Sequence, residues 1–319
     1  MIWLRRIVQI LFLVLFLHLF LGTMLHGEGE PRGPVAFFFN IDPLILVSAF
    51  LASGTILTGS LLALVTVAVT LLLGRFFCGW VCPLGTLHDA VSVFRRKLPA
   101  GMWHRAVWSP RQRGKYYILI GVLTAALMGV QLAGILDPIS FLVRSTTTVV
   151  FPALVVVCDT TFDFLYNQDP AGISAVSEPV YSFLRDHVLP YERPAYAGAV
   201  LLGLLFLAAL AINLWRPRFW CRYLCPLGAM LGLCSRTTAF KLKNDPSLCT
   251  GCNLCAYNCR IAADPHIPGG WHNDECVFCW KCKEVCPTHA IRFRFEWPSL
   301  RPPRPAKGNG KPAGQDETR

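Results

Sequence analysis

Four apolar runs of bilayer-crossing length do most to limit what this chain can fold into. About 20 apolar residues span a hydrocarbon core roughly 30 Å thick. Residues 7–25, IVQILFLVLFLHLFLGTML, form the first run, and HGEGEPRGP follows it with no small-x-small site for cleavage. The second run, 44–74, breaks at Ser53-Gly54-Thr55, so the sequence predicts a short interfacial piece at 43–51 and a crossing at 54–74. Residues 116–136 and 197–215 give the third and fourth crossings. The stretch 139–158 is also apolar, but Arg144, Thr146 to Thr148 and Pro152 make it a poor spanner, expected to be interfacial or re-entrant.

Composition agrees. The 319 residues are 54% hydrophobic and 15% charged, against about a quarter charged in soluble domains. The net charge of +11 would suit a nucleic-acid binder, but the basic residues lie beside apolar runs, so no nucleic-acid partner is expected. Lys and Arg crowd three places: Arg5 and Arg6, the 75–115 loop, and the segment after residue 215. By the positive-inside rule both termini and the 75–115 loop face the cytoplasm. The expected location is a bacterial cytoplasmic (inner) membrane, crossed several times.

Fourteen cysteines then fall mostly on the reducing side, where disulfides are disfavoured. Residues 78–85, CGWVCPLG, recur as CRYLCPLG at 221–228. Asp42-Pro43 and Asp137-Pro138 recur likewise, each after an apolar run. Two parallel repeats related by an axis along the membrane normal would bring Cys78, Cys82, Cys221 and Cys225 together. Such a four-thiol site is a candidate further iron–sulfur centre; the plainer alternative is packed thiols holding the helices. His26, Asp42, Asp137 and Arg144 gather at the expected outer interface as a candidate quinone site, unless the two Asp-Pro pairs merely cap short helices.

The C-terminal region carries the strongest signal. Cys249, Cys252, Cys255 and Cys259 are spaced C-x2-C-x2-C-x3-C, and Cys276, Cys279, Cys282 and Cys286 repeat that spacing before Pro287. In two-cluster ferredoxins the fourth cysteine of each run ligates the other cluster. Cys249, Cys252, Cys255 and Cys286 are therefore expected to hold one [4Fe–4S] cluster, and Cys276, Cys279, Cys282 and Cys259 the second. Arg260 stands where a proline often follows the first run. Zinc would favour two separated cysteine pairs.

Together these motifs resemble the NapH/NosR-type family of membrane iron–sulfur proteins, over about residues 1–296 and nearest its NapH-like quinol dehydrogenase subunits. The resemblance implies electron transfer between the quinone pool and a partner redox protein or respiratory complex, as a subunit of an oxidoreductase system. A rival reading is a maturation factor that reduces metal or thiols on a client oxidase or reductase. The expected fold is mainly α: a four-span transmembrane domain of two parallel repeats at 1–240, an α+β two-cluster ferredoxin-like domain at 241–296, and a disordered tail at 297–319.

Overall fold

The computed structural model describes residues 2–26, 33–55, 58–94, 108–168, 174–187, 196–266 and 271–295; the expected tail lies outside them. The first half comprises α1 (Ile2–His26), α2 (Ala36–Asn40), α3 (Pro43–Ser53), a 3-10 turn at Thr58–Leu61, α4 (Leu62–Leu73), α5 (Phe76–Trp80) and α6 (Pro83–Phe94). The second half has α7 (Gly114–Leu127), α8 (Ala133–Leu136), α9 (Pro138–Ser145), a π turn at Thr146–Val150, α10 (Phe151–Gln168) and α11 (Ser174–His187). It continues through α12 (Ala199–Trp215), a second π turn at Trp220–Leu224 and α13 (Pro226–Ser235). A small C-terminal unit pairs β1 (Phe240–Asn244) antiparallel with β2 (Ile291–Phe295), Phe240 opposite Phe295, around α14 (Leu254–Tyr257) and α15 (Lys281–Glu284).

Packing in the two halves follows one pattern with partners exchanged. Helix α1 lies on α6 and α7 on α13; α4 packs against α13 and α12 against α6; α3 meets α13 and α9 meets α6. A single apolar core runs from Phe16 and Phe38 through Leu84 and Leu227 to Val277 and Phe278. Outward faces are apolar too. Leu4, Ile7, Leu11 and Val14 on α1, Val65 and Leu72 on α4, and Leu201 and Leu204 on α12 are all exposed. Large side chains exposed along several helices mark a surface that water does not suit.

Two expectations about the spans change. Only Ile2–Met24 and Pro138–Asn167 are long and apolar enough to cross a membrane among the described residues, whereas Gly59–Leu73 and Ala199–Trp215 are shorter apolar helices. The third expected run is broken after Leu127, where Gly129 turns the chain at φ 81° before α8. The stretch 139–158, expected to span poorly, instead lies within a continuous helix. Its threonines meet their polarity within that helix: the Thr146 hydroxyl donates to Leu142 O at 2.8 Å and that of Thr148 to Arg144 O at 2.9 Å. Pro152 follows the π turn, whose wider spacing accommodates a residue without an N–H.

Candidate metal centres

The sequence Cys-Pro-Leu-Gly has a local reason in both places. Cys225 caps α13, its sulfur accepting the Gly228 N–H at 3.1 Å, and Pro226 fills the first helical position, where an N–H is dispensable. Cys82 relates to Pro83 and the Gly85 N–H in the same way. Glycine is needed at the third position: a Cβ on Gly85 would sit 2.7 Å from Cys78 O, and one on Gly228 2.6 Å from an Arg75 guanidinium nitrogen.

Cys78, Cys82, Cys221 and Cys225 are all buried in the shared core. Their sulfurs lie close enough for a charge on one to bear on the others. Asp42 and Asp137 cap α3 and α9 just as the cysteines cap α6 and α13. Asp42 Oδ1 accepts from Leu44 N at 2.8 Å, and Asp137 Oδ2 from Ile139 N and Ser140 N at 2.9 Å each. Both aspartates are fully buried and within hydrogen-bond reach of each other. Four helix N-termini thus gather around the thiols, a field that favours negative charge.

This arrangement corrects the expected separation of acids and thiols onto opposite membrane faces. Asp137 lies near enough for its charge to bear on Cys82 and Cys225. Of the four residues of the candidate quinone set, Asp42 and Asp137 come together. Arg144 is exposed near the end of α9, while Asp42 and Asp137 are sealed inside. The side chain of His26 lies outside the described residues.

In the C-terminal unit, Cys249, Cys252, Cys255 and Cys286 line one cavity. Cys259, Cys276, Cys279 and Cys282 line another. Each cavity draws its fourth cysteine from the other run. Backbone geometry repeats between the runs: Asn253 and Trp280 both take φ 56°, each just before a one-turn helix. Such left-handed positions turn successive N–H groups toward an anion. Burial, and then the neighbouring Cys279 thiolate, push Cys259 up to about 11, and burial raises Cys276 and Cys282 well above the usual thiol range. Binding iron there would therefore release protons. Among the described residues no group of three or more His, Cys, Asp or Glu suits a single metal ion; a cubane spaces its thiolates more widely.

The second cysteine set sits directly on the first Cys-x-x-x-Cys-Pro block. Trp80 Nε1 donates to Phe278 O at 3.1 Å, and a Cβ on Gly79 would meet Val277 O at 2.3 Å. Cys252, of the other set, is exposed at the surface. The set with Cys276 therefore lies against the buried block, and Cys252 brings the other set to the surface.

Comparison with known proteins follows the same geography. A family described as a 4Fe-4S binding domain matches residues 55–101 and again 196–244, once around each Cys-x-x-x-Cys-Pro block. A second, of the same description, matches residues 270–292. The ferredoxin-type protein NapH of Escherichia coli is 25% identical over 93% of this chain and 90% of its own length. The putative electron transport protein YccM of the same organism is 29% identical over 75% of this chain and 56% of its own. The regulatory protein NosR of Pseudomonas aeruginosa is 27% identical over 68% of this chain, which spans 24% of NosR. No solved structure matches. These relatives and domains support the resemblance to the NapH/NosR-type family of membrane iron–sulfur proteins.

Sequence reasoning stopped three residues short of the full repeat. The duplicated unit begins at Arg75-Phe-Phe-Cys78 and Arg218-Phe-Trp-Cys221. Each arginine crosses to the opposite half. Arg218 Nη1 donates to Cys78 O at 3.1 Å and Arg75 Nη2 to Cys221 O at 3.5 Å. Their counter-charges differ in origin. Arg218 forks onto Asp89 of α6 at 3.0 and 2.8 Å, while Arg75 and Lys115 pair with Glu275 at 3.0 and 2.6 Å. Asp89 also accepts from Arg5, from Gln9 at 3.0 Å and from Arg260 at 2.9 Å. Burial pushes the Asp89 carboxyl up, but Arg218 and then Arg5 outweigh it and hold it well below the usual carboxylate range. Arg260, the departure noted after the first run, is therefore a tie between the C-terminal unit and α6.

Proposed function

We propose that this chain carries electrons between a membrane quinone pool and a partner redox protein or respiratory complex. The observation that carries the reading is the pair of cavities in the C-terminal unit, each lined by four cysteines shared between the two runs. Those residues fit two [4Fe–4S] clusters, and each cluster, when bound, takes up and gives back one electron. Cys249, Cys252, Cys255 and Cys286 hold the outer one; Cys259, Cys276, Cys279 and Cys282 hold the inner. Cys78, Cys82, Cys221 and Cys225 hold a third centre beneath them. Support for it comes from the matching burial of the four thiols, the gathered helix N-termini, and Arg75 and Arg218, whose charges offset that of a thiolate-bound cluster.

The exchanged packing of the halves supports two parallel repeats about an axis through the four thiols. In this reading residues 1–240 are embedded in the inner membrane with four crossings, and both termini and residues 241–296 are cytoplasmic. The exposed apolar faces of α1, α4 and α12 support the embedding. Electrons then pass between the buried block and the inner set across the Gly79–Val277 contact, and leave or enter at the exposed Cys252. The test is direct. The full chain, purified without oxygen and placed in lipid nanodiscs, should lose its iron–sulfur absorbance near 400 nm when mixed with excess quinol, and regain it with an oxidant. Complete iron–sulfur loading with no response to quinol or quinone in either direction would overturn the quinone link.

A further inference from the structure

A cavity of about 230 Å³ lies where α1 and α6 meet the segment 277–281. Its lining is of two kinds. Ile2, Ile10 and Val93 supply apolar lining, while Arg6, one helical turn from both isoleucines, supplies N–H donors. The volume lies just below the usual range for small-molecule pockets, about 300–1,000 Å³. Ile10 and Val93 are 59% and 50% exposed on the apolar outer face, beside Ile7 and Leu11, so the mouth opens where lipid would lie. Cys279, one of the inner set, lines the floor.

We infer that this cavity binds the ring of a quinone or quinol, which enters from the bilayer between α1 and α6. The occupant must be lipid-soluble, because the mouth is apolar. It must carry polar oxygens, because Arg6 offers donors beside that mouth. Against Cys279, a redox-active ring has a use that a phospholipid does not. Arg5, Gln9, Arg218 and Arg260 close the inner wall by converging on Asp89, leaving that carboxylate saturated. Arg6, which also lines the cavity, is the group that meets a ring oxygen. This cavity, rather than the His26, Asp42, Asp137 and Arg144 set, is the quinone site. The inference rests on the quinone link proposed above.

The test measures binding, not turnover. A fluorescent hydroxyquinoline N-oxide, a quinol analogue quenched on binding, is titrated into the full chain in nanodiscs. Ala90→Trp and Val93→Trp fill the cavity from exposed positions on α6 and should weaken binding by roughly tenfold or more, with iron content unchanged. If either fails to fold, Ile10→Trp fills the same space from α1. Tyr117→Trp, beside a separate cavity on α7, should leave affinity unchanged. Native affinity in all the filled variants would overturn the site, as would loss of binding in Tyr117→Trp alone. Displacement of the analogue by a short-chain anionic phospholipid but not by a short-chain quinone would make it a lipid site instead. Failure of the unaltered protein to bind the analogue would instead sink the quinone link itself.

Discussion

Asp89→Asn is the most informative single change. The carboxylate accepts from Arg5, Gln9, Arg218 and Arg260, and the three arginine side chains are only 8%, 1% and 22% exposed. An asparagine keeps the shape but turns an N–H pair toward guanidinium groups and leaves those cations without their carboxylate. Removing one partner of a buried pair costs about 3–5 kcal/mol, and the lower half is expected here because Arg260 is partly wetted. That corresponds to a fall in Tm on the order of 10 °C. Because Arg260 ties the C-terminal unit to α6, limited proteolysis between α13 and β1 should also speed up. The pH dependence has a definite sign. The folded-state pKa of Asp89 is depressed, so its stabilisation is present above the usual carboxylate range and lost as pH falls through the lower folded value. Between about pH 5 and 8 the gap in Tm between native protein and variant should be constant, closing only in acid. An unchanged Tm and unchanged cleavage at pH 7 would refute the buried-hub argument.

Further outcomes follow from the cysteine sets. Cys286→Ser should remove about four iron atoms from the outer set and Cys259→Ser about four from the inner; if each run filled its own cluster, the EPR signals lost would be exchanged. Ser at both Cys78 and Cys221 should remove iron beyond the two ferredoxin-type clusters, and unchanged iron would leave that block a scaffold. Reporter fusions after residues 30 and 170 should read periplasmic and those after 95 and 245 cytoplasmic. A cytoplasmic report at 170 would mean that the 138–167 helix changes the count of crossings.

The cysteine runs were legible because their spacing is local: a few residues of chain fix which sulfurs can share a corner of a cluster. The Cys-Pro-Leu-Gly blocks were legible as repeats, and their capping role follows from residues within four positions. Arg75 and Arg218 were within reach, since both stand three residues before their cysteine, but their crossing between halves is tertiary. Asp89 and Glu275 were harder still, because the two acids serve equivalent arginines from unrelated parts of the chain. Sequence reading misled at 139–158 by counting Arg144, the threonines and Pro152 against a stretch whose hydropathy favours a span, without seeing that back-bonding and a π turn absorb them. It also placed Asp42 and Asp137 by distance along the chain, whereas half-length helices return both inward to the thiols.

Iron and sulfide stoichiometry, read together with EPR during a reductive titration, tests the relay most directly. Protein purified anaerobically should carry about eight iron atoms in two magnetically interacting [4Fe–4S] clusters, and about four more in a centre lost when Cys78 and Cys221 become serine. Recovery of zinc, or of iron with no cluster signal at any potential, would contradict it.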